Sequence, residues 1–484
     1  MWKMPKRFSR MPRERQVYLL DPQKISQEAI AVTFAKTSRS PLTFKEIASE
    51  LTEEKAAQFN ERWVVGYGHA SVAEHAVLHI AVENISRLAA ETLESSRLAS
   101  YTEKSSRYQK WGAGDFVIPR ELDGSPLRGE YINLCTHLFE IYQKILETIP
   151  TVIKNQNPKT EGETDKAFEC RIQNLSTDFA RFALPAASMT NVGVSINARA
   201  LEYSLRKMLS SPIQEVREVG KEIKAQAITV VPILVKYAEA IPYLVNTCRE
   251  LSAYGRKITS AERISGKWCQ LIQYGPRIEE QILSAVLYRF SNLGFDEALT
   301  QIEKMDLKEK QNLIGCLMND KGEHDEPLRE LEYANFTFDL ILDQGAYYEL
   351  KRHRMMTQTP QLLGAELGYT VPKAVASSDL YPEYQNVMEE VKKIWQLMSK
   401  AAPEIASYLV PNAFNRRVLV NLNLRSVFHL LQLRTAQNAH FSIRRIAQRM
   451  AEEIGKAAPL LSPFISTNKG ETWNEIEERY FSKT

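Results

Sequence analysis

The hydrophobic pattern of this chain occurs twice. Near the start, Val17-Tyr-Leu-Leu-Asp-Pro22 predicts a short buried strand with a proline stop, and the run Ile25–Ala35 has the spacing of an amphipathic helix. The same pair recurs as Cys269-Gln-Leu-Ile-Gln-Tyr-Gly-Pro276 followed by Ile278–Ser291. Phe44-Lys-Glu-Ile47 answers Phe295-Asp-Glu-Ala298, and Gly68-His69 answers Glu323-His324. Leu78-His-Ile-Ala-Val82 and Phe336-Thr-Phe-Asp-Leu340 alternate with the period of a half-buried strand, and a helix follows each, ending near Arg97 and Arg354. Asn197-Ala-Arg-Ala-Leu201 and Asn423-Leu-Arg-Ser-Val427 both lead into long helices. Five matches in one order predict two diverged copies of one α/β (α+β) domain in tandem, residues 1–255 and 265–484, joined among the turn-prone residues 250–265.

Length and composition fit this picture and narrow the function. A chain of 484 residues suits two or three domains, and 44% apolar with 25% charged residues is a soluble globular composition. Lys and Arg number 62 against 59 Asp and Glu, a net charge of +3, which argues against a general nucleic-acid binder. The cysteines, Cys135, Cys170, Cys248, Cys269 and Cys316, are odd in number, far apart and never spaced as CxxC. They make neither a disulfide framework nor a zinc site, and they point to a reducing, cytoplasmic setting. No apolar run follows the basic arm Met1–Arg15, so it reads as a solvated tail, and no stretch approaches the ~20 apolar residues of a membrane helix. The polar insertion Lys154–Thr164 reads as a surface loop.

Three clusters could carry chemistry. Lys351-Arg352-His353-Arg354 ends the helix that Asp343 is placed to cap; its cations suit a last-turn dipole and equally suit an anion. Ser100-Tyr-Thr-Glu103-Lys-Ser105-Ser-Arg107-Tyr108 is rich in donors and acceptors, and a capped, solvated loop would look the same. Arg425, His429 and Gln432 share one helix face opposite an apolar one, with few of the Lys and Glu residues of solvated faces, which suits a buried polar site. Gly66-Tyr-Gly68-His-Ala-Ser71 is a weak dinucleotide signal, since no clear strand precedes it. His75 and His79, beside Glu74, have metal-like spacing, but the alternation around them predicts a strand that separates them by about 13 Å. No HExxH, P-loop or GxSxG occurs, and no metal is expected.

These residues resemble the flavin-dependent thymidylate synthases over nearly the full length of both halves. That family's signature is RHR, two residues, Ser, one residue, Asn-Glu, one residue, Ser, one residue, Arg. The first half reads Ser95-Ser96-Arg97, then Ser100, Thr102, Glu103, Ser105 and Arg107. The second reads Arg352-His353-Arg354, then Thr357, Thr359, Pro360, Leu362 and Gly364. A later family segment is kept in the second half as Asn423, Arg425, Ser426, His429 and Arg434; in the first, Asn197 and Arg199 remain while Tyr203 and Met208 replace the His and last Arg.

The resemblance implies a mixed, twisted sheet flanked by helices in each domain, and reductive methylation of dUMP to dTMP. FAD would serve as cofactor, with NADPH and methylenetetrahydrofolate as co-substrates and no cysteine nucleophile. It implies catalytic roles for Arg434 and Glu103 and substrate binding by Ser105, Arg107, Arg352 and Arg434. Cofactor binding would fall to His353, Arg354, Ser100, Glu103, Asn423, Arg425 and His429. Four family domains pack together, so a homodimer of this chain would rebuild the assembly. The losses in the two halves complement each other, which predicts one composite site and about one flavin per chain. A flavoenzyme acting on another pyrimidine, and a non-catalytic flavin or nucleotide binder, are the alternatives.

Overall fold

The computed structural model describes residues 15–66, 69–258 and 267–482. Gly68 of the paired Gly68-His69, most of the basic arm and residues 259–266 of the expected joint lie outside these residues.

Two antiparallel sheets carry the two halves. In the first, β1 (Val77–Ser86), β2 (Ala99–Glu103) and β3 (Met189–Asn197) lie in the order β1-β3-β2. In the second, β4 (Cys269–Tyr274), β5 (Asn335–Asp343), β6 (Thr357–Pro360) and β7 (Asn415–Asn423) lie in the order β4-β5-β7-β6. The repeat shows in the register: Ser100 lies opposite Ser195 where Thr357 lies opposite Asn421. β1 and β5 each run into a short helix, Arg87–Leu93 capped by Ser86 and Gln344–Leu350 capped by Asp343. β3 and β7 run into longer ones, Ala198–Leu209 and Leu424–Arg434, with Asn197 and Asn423 as caps.

Three expectations are corrected. The α+β class stands, but every pairing is antiparallel, so the sheets are not mixed: β3 and β7 each run between neighbours of opposite direction. Val17–Pro22 forms no strand. Val17 and Leu19 are 92% and 95% exposed, because no sheet edge meets them, whereas β4 pairs with β5 and buries Cys269. His75 ends a short 3₁₀ turn, Ala70–His75, and β1 begins only at Val77, so the two histidines do not share a strand. β1 also carries a bulge that β5 lacks, with Asn84 at φ 58° donating nothing to the ladder and its N–H turned to Asn191 Oδ1 at 2.9 Å.

The two halves share a core. Leu134, Leu138, Phe139 and Tyr142 of the long helix Leu127–Gln156 belong to one buried cluster with Tyr384, Val387 and Val391 of helix Tyr381–Ala401. Each such side chain contributes roughly 1.5–3 kcal/mol on burial. Two extended segments cross beside it: Ala186 N donates to Val410 O, and Asn412 N to Leu184 O, both at 3.0 Å. A second core lies under the second sheet, where Phe336, Phe338 and Leu340 meet Ile443, Ile446 and Met450. The crossing brings the end of helix Asp165–Ala180 against helix Gln344–Leu350, and so sets the site.

Candidate active site at the junction of the halves

A cavity of about 230 Å³ opens where the halves meet. Ser105 and Arg107, from the turn after β2, line it together with Arg352 and Arg434 from the second half. Three further charged residues that the sequence reading did not single out also line it: Arg87, Arg181 and Glu349. Two of them left a trace in the sequence. Arg87 directly follows a cap, where a helix dipole disfavours a cation, and Arg181 is a lone charge in the apolar run Phe179-Ala-Arg-Phe-Ala-Leu184.

Five arginines and one carboxylate therefore face one small space. Asp178 holds Arg107 through two bonds, Nε to Oδ1 at 2.7 Å and Nη2 to Oδ2 at 2.9 Å, and Arg107 Nη1 donates to Asn438 O at 2.7 Å. Glu349 lies between Arg181, at 3.3 Å, and Arg434, at 3.2 Å. Arg87 lies 3.4 Å from Glu103, with its guanidinium 4.1 Å from the Tyr348 ring centroid, and its Nε and Nη1 are buried without hydrogen-bond partners. Such an excess of fixed donors suits an anion.

Titration follows from this crowding. Burial disfavours the Glu103 carboxylate, yet Arg87, and Lys351 and Arg352 from the other half, bring its pKa below the ordinary value. His353 is pushed down to about 3, by burial first and then by Arg434, His429 and Arg352, so the ring is neutral at pH 7. Arg434 Nε donates to His353 Nε2 at 2.9 Å, which assigns the ring proton to Nδ1.

The remaining candidates divide. Glu103 does not line the cavity; its side chain is 3% exposed and anchors the arginines from behind. Ser100 and Thr102 are exposed on the other face of β2, as the two-residue period of a strand requires. Arg354 donates to Ala99 O and stacks over Tyr101, tying the RHR turn to β2. His429 is exposed, 5.6 Å from the His353 ring. Asn423 caps its helix through Ser426 N, and Arg425 binds Pro327 O and Glu332, so neither reaches the cavity. Gln432 donates to Glu323 O, which completes a polar face bound to a neighbouring loop. Among the described residues, no group of three or more His, Cys, Asp or Glu is placed to hold a metal.

The family model for thymidylate synthase complementing protein matches residues 19–233 and again 270–460. The chain belongs to that family, in tandem form. A UPF0159 protein of Chlamydia muridarum is 29% identical over 86% of this chain and 82% of its own length, and one of Thermoplasma acidophilum is 26% identical over 86% and 89%. A flavin-dependent thymidylate synthase of Clostridium tetani is 30% identical over 46% of this chain and 84% of its own length. Among solved structures, the ThyX of Helicobacter pylori complexed with FAD and dUMP shares 16% identity at TM-score 0.31, over 41% of this chain and 100% of that one. The UMP/dUMP methylase PolB of Streptomyces cacaoi shares 16% at TM-score 0.33, over 40% and 93%.

The counterparts of Arg107 and Arg434 in the other halves are apolar and packed. After β6 the chain runs Leu362-Leu-Gly364, and a Cβ at Gly364 would lie 2.8 Å from the Trp395 ring, so that ring closes the space beside it. Met208, at the place of Arg434, is 1% exposed and packs against Gly220 of the next helix.

Proposed function

We propose that the chain is an FAD-dependent thymidylate synthase with one composite site, built from the turn after β2 and the RHR turn and late helix of the second half. One observation supports this most: Ser105 and Arg107 line the same cavity as Arg352 and Arg434, although each half alone holds an incomplete signature. In this reading Ser105, Arg107, Arg352 and Arg434, with Arg181 and Arg87, bind dUMP. Arg434, fixed by Glu349 and His353, faces the negative charge that builds on the pyrimidine in the transition state. Glu103 keeps Arg87, Lys351 and Arg352 in place.

His353, Arg354, Ser100 and His429 would hold the flavin, with Asn423 and Arg425 fixing the helix that carries His429. The fit rests on donors without partners: Arg354 Nε is buried with no hydrogen bond, and His429 and Ser100 are exposed. When bound, a flavin reduced by NADPH supplies the hydride for methylation of dUMP to dTMP, with methylenetetrahydrofolate giving the carbon. That open face is completed by a second chain, and the homodimer forms a pseudo-tetramer of domains. Light scattering is expected to report about twice 55.3 kDa.

Titration of the apo-protein with FAD is expected to saturate near one flavin per chain, and dUMP with methylenetetrahydrofolate and NADPH to yield dTMP. Two equivalent flavin sites would refute the composite site. Bound flavin and dUMP without dTMP would move the substrate to another pyrimidine.

A further inference from the structure

A second, larger space adjoins the cavity. It measures about 840 Å³ and shares Arg107, Tyr108, Asn438 and Ala439 with the smaller one as a common wall. One side is helix Asp165–Ala180 of the first half. The other is formed by Asn468, Glu471, Arg479 and their neighbours, which lie after residue 460 and so outside the matched family segments. Small-molecule sites run roughly 300–1,000 Å³. At about 230 Å³ the arginine cavity falls below that range, and the groove lies within it.

Some of the charges in the groove are paired: Arg107 is bound by Asp178, and Arg171 by Glu163 beside it. Glu475 accepts from the backbone N–H of Thr472 and keeps its negative charge. Arg444, with its side chain 8% exposed, is paired in part: Nη1 lies 3.5 Å from Glu471 and donates to Gln437 O at 3.2 Å, while Nε has no hydrogen-bond partner. Asn468 Nδ2 is likewise buried without one. Arg479 donates to Asn157 Oδ1 at 3.0 Å and pairs with no carboxylate among the described residues. The groove therefore offers unused donors and, in Arg479, one guanidinium without a carboxylate partner, in a space that shares Arg107 with the first cavity.

We propose that the groove receives a second phosphate, and that the chain binds a nucleoside 5′-diphosphate in preference to the monophosphate. This rests on the reading of the first cavity as a nucleotide site. Arg479 and Arg444 suit a phosphate oxygen because guanidinium donors match its geometry, and an additional charge-assisted bond is enough to separate the two ligands.

Calorimetric titration of the full chain with dUMP and with dUDP tests this. The wild-type protein is expected to bind dUDP at least tenfold more tightly than dUMP. Arg479→Gln is expected to remove most of that difference while dUMP affinity and melting temperature stay the same; Arg444→Gln is expected to act in the same direction. Equal affinities in the wild type, or an Arg479→Gln loss shared by both nucleotides, would overturn the second-phosphate site and leave the dUMP reading standing. Failure of both nucleotides to bind would overturn the nucleotide reading and this inference with it.

Discussion

The turn after β2 and the turn after β6 stand at matching places in the two halves, yet their surroundings differ. The first carries Ser105 and Arg107 to the junction, where Asp178 fixes the guanidinium. The second passes under Trp395 with a glycine where no Cβ fits. The late helices differ in the same sense: Arg434 lines the cavity, and Met208 is core. Duplication has separated two tasks. One set of positions kept polar groups that must be held in place; of the matching set, Gly364 and Met208 pack, and Leu362 is an exposed apolar residue.

The sharpest way to break this comparison is Arg107→Ala. It removes an anion donor and also leaves Asp178, whose side chain is 8% exposed, without its ion pair. Breaking a buried pair costs about 3–5 kcal/mol, so thermal stability is expected to fall strongly. Calorimetry on the folded fraction is expected to show dUMP affinity lower by about ten- to hundred-fold. Unchanged stability would contradict the Asp178 contact, and unchanged affinity would contradict the site.

Met208→Ala probes the matching position in the packed half. Removing a buried methionine costs about 2–5 kcal/mol, and here the cavity would open against Gly220. Denaturant unfolding is expected to show that loss, with dUMP affinity unmoved. Arg434→Ala, its counterpart, is expected to do the reverse: nucleotide affinity falls by roughly 1.5–3 kcal/mol, with a smaller effect on stability because Arg181 still pairs with Glu349. If both substitutions shift binding equally, the two halves are not divided as described.

The sequence made the division legible but not its mechanism. Strand period, caps and the split signature located β1, β5, both long helices and the residues Ser105, Arg107, Arg352 and Arg434. Asp343 caps as its position suggested, because capping depends on local hydrogen bonds alone, and Asn197 and Asn423 prove to cap their helices in the same way. Arg181 and Glu349 escaped, since they pair with each other across the halves, and Asp178 escaped because its partner Arg107 is distant in the chain; only tertiary contact brings these groups together. The Val17 segment misled for a related reason: a short apolar run becomes a strand only where another strand receives it. Asn423 and Arg425 carried the right spacing for a site, yet their partners are a helix end and a neighbouring loop.

The smallest expected effect concerns His353, whose counterpart Ser96 cannot titrate. The folded pKa is about 3 against an ordinary 6.5, lowered by burial and by Arg434, His429 and Arg352. Below pH 6.5 the unfolded chain takes up a proton that the folded ring refuses, so stability is complete above that pH and declines as pH falls towards 3. The limiting slope for one group is ~1.4 kcal/mol per pH unit, which makes the loss between pH 7 and 5.5 roughly 1 kcal/mol. His440, buried against Asp178 O and also held neutral, adds a similar term, so the wild-type slope alone does not isolate either ring. His353→Asn keeps His440 and removes one titration. Its unfolding free energy, measured at pH 7 and 5.5, is expected to change by roughly 1 kcal/mol less than the wild type's, while Ser96→Ala keeps the full wild-type difference. An unaltered difference in His353→Asn would mean that the ring takes its proton in the folded chain. In that case Nε2 could not accept from Arg434, and the polar half would lose the contact that orients its arginine.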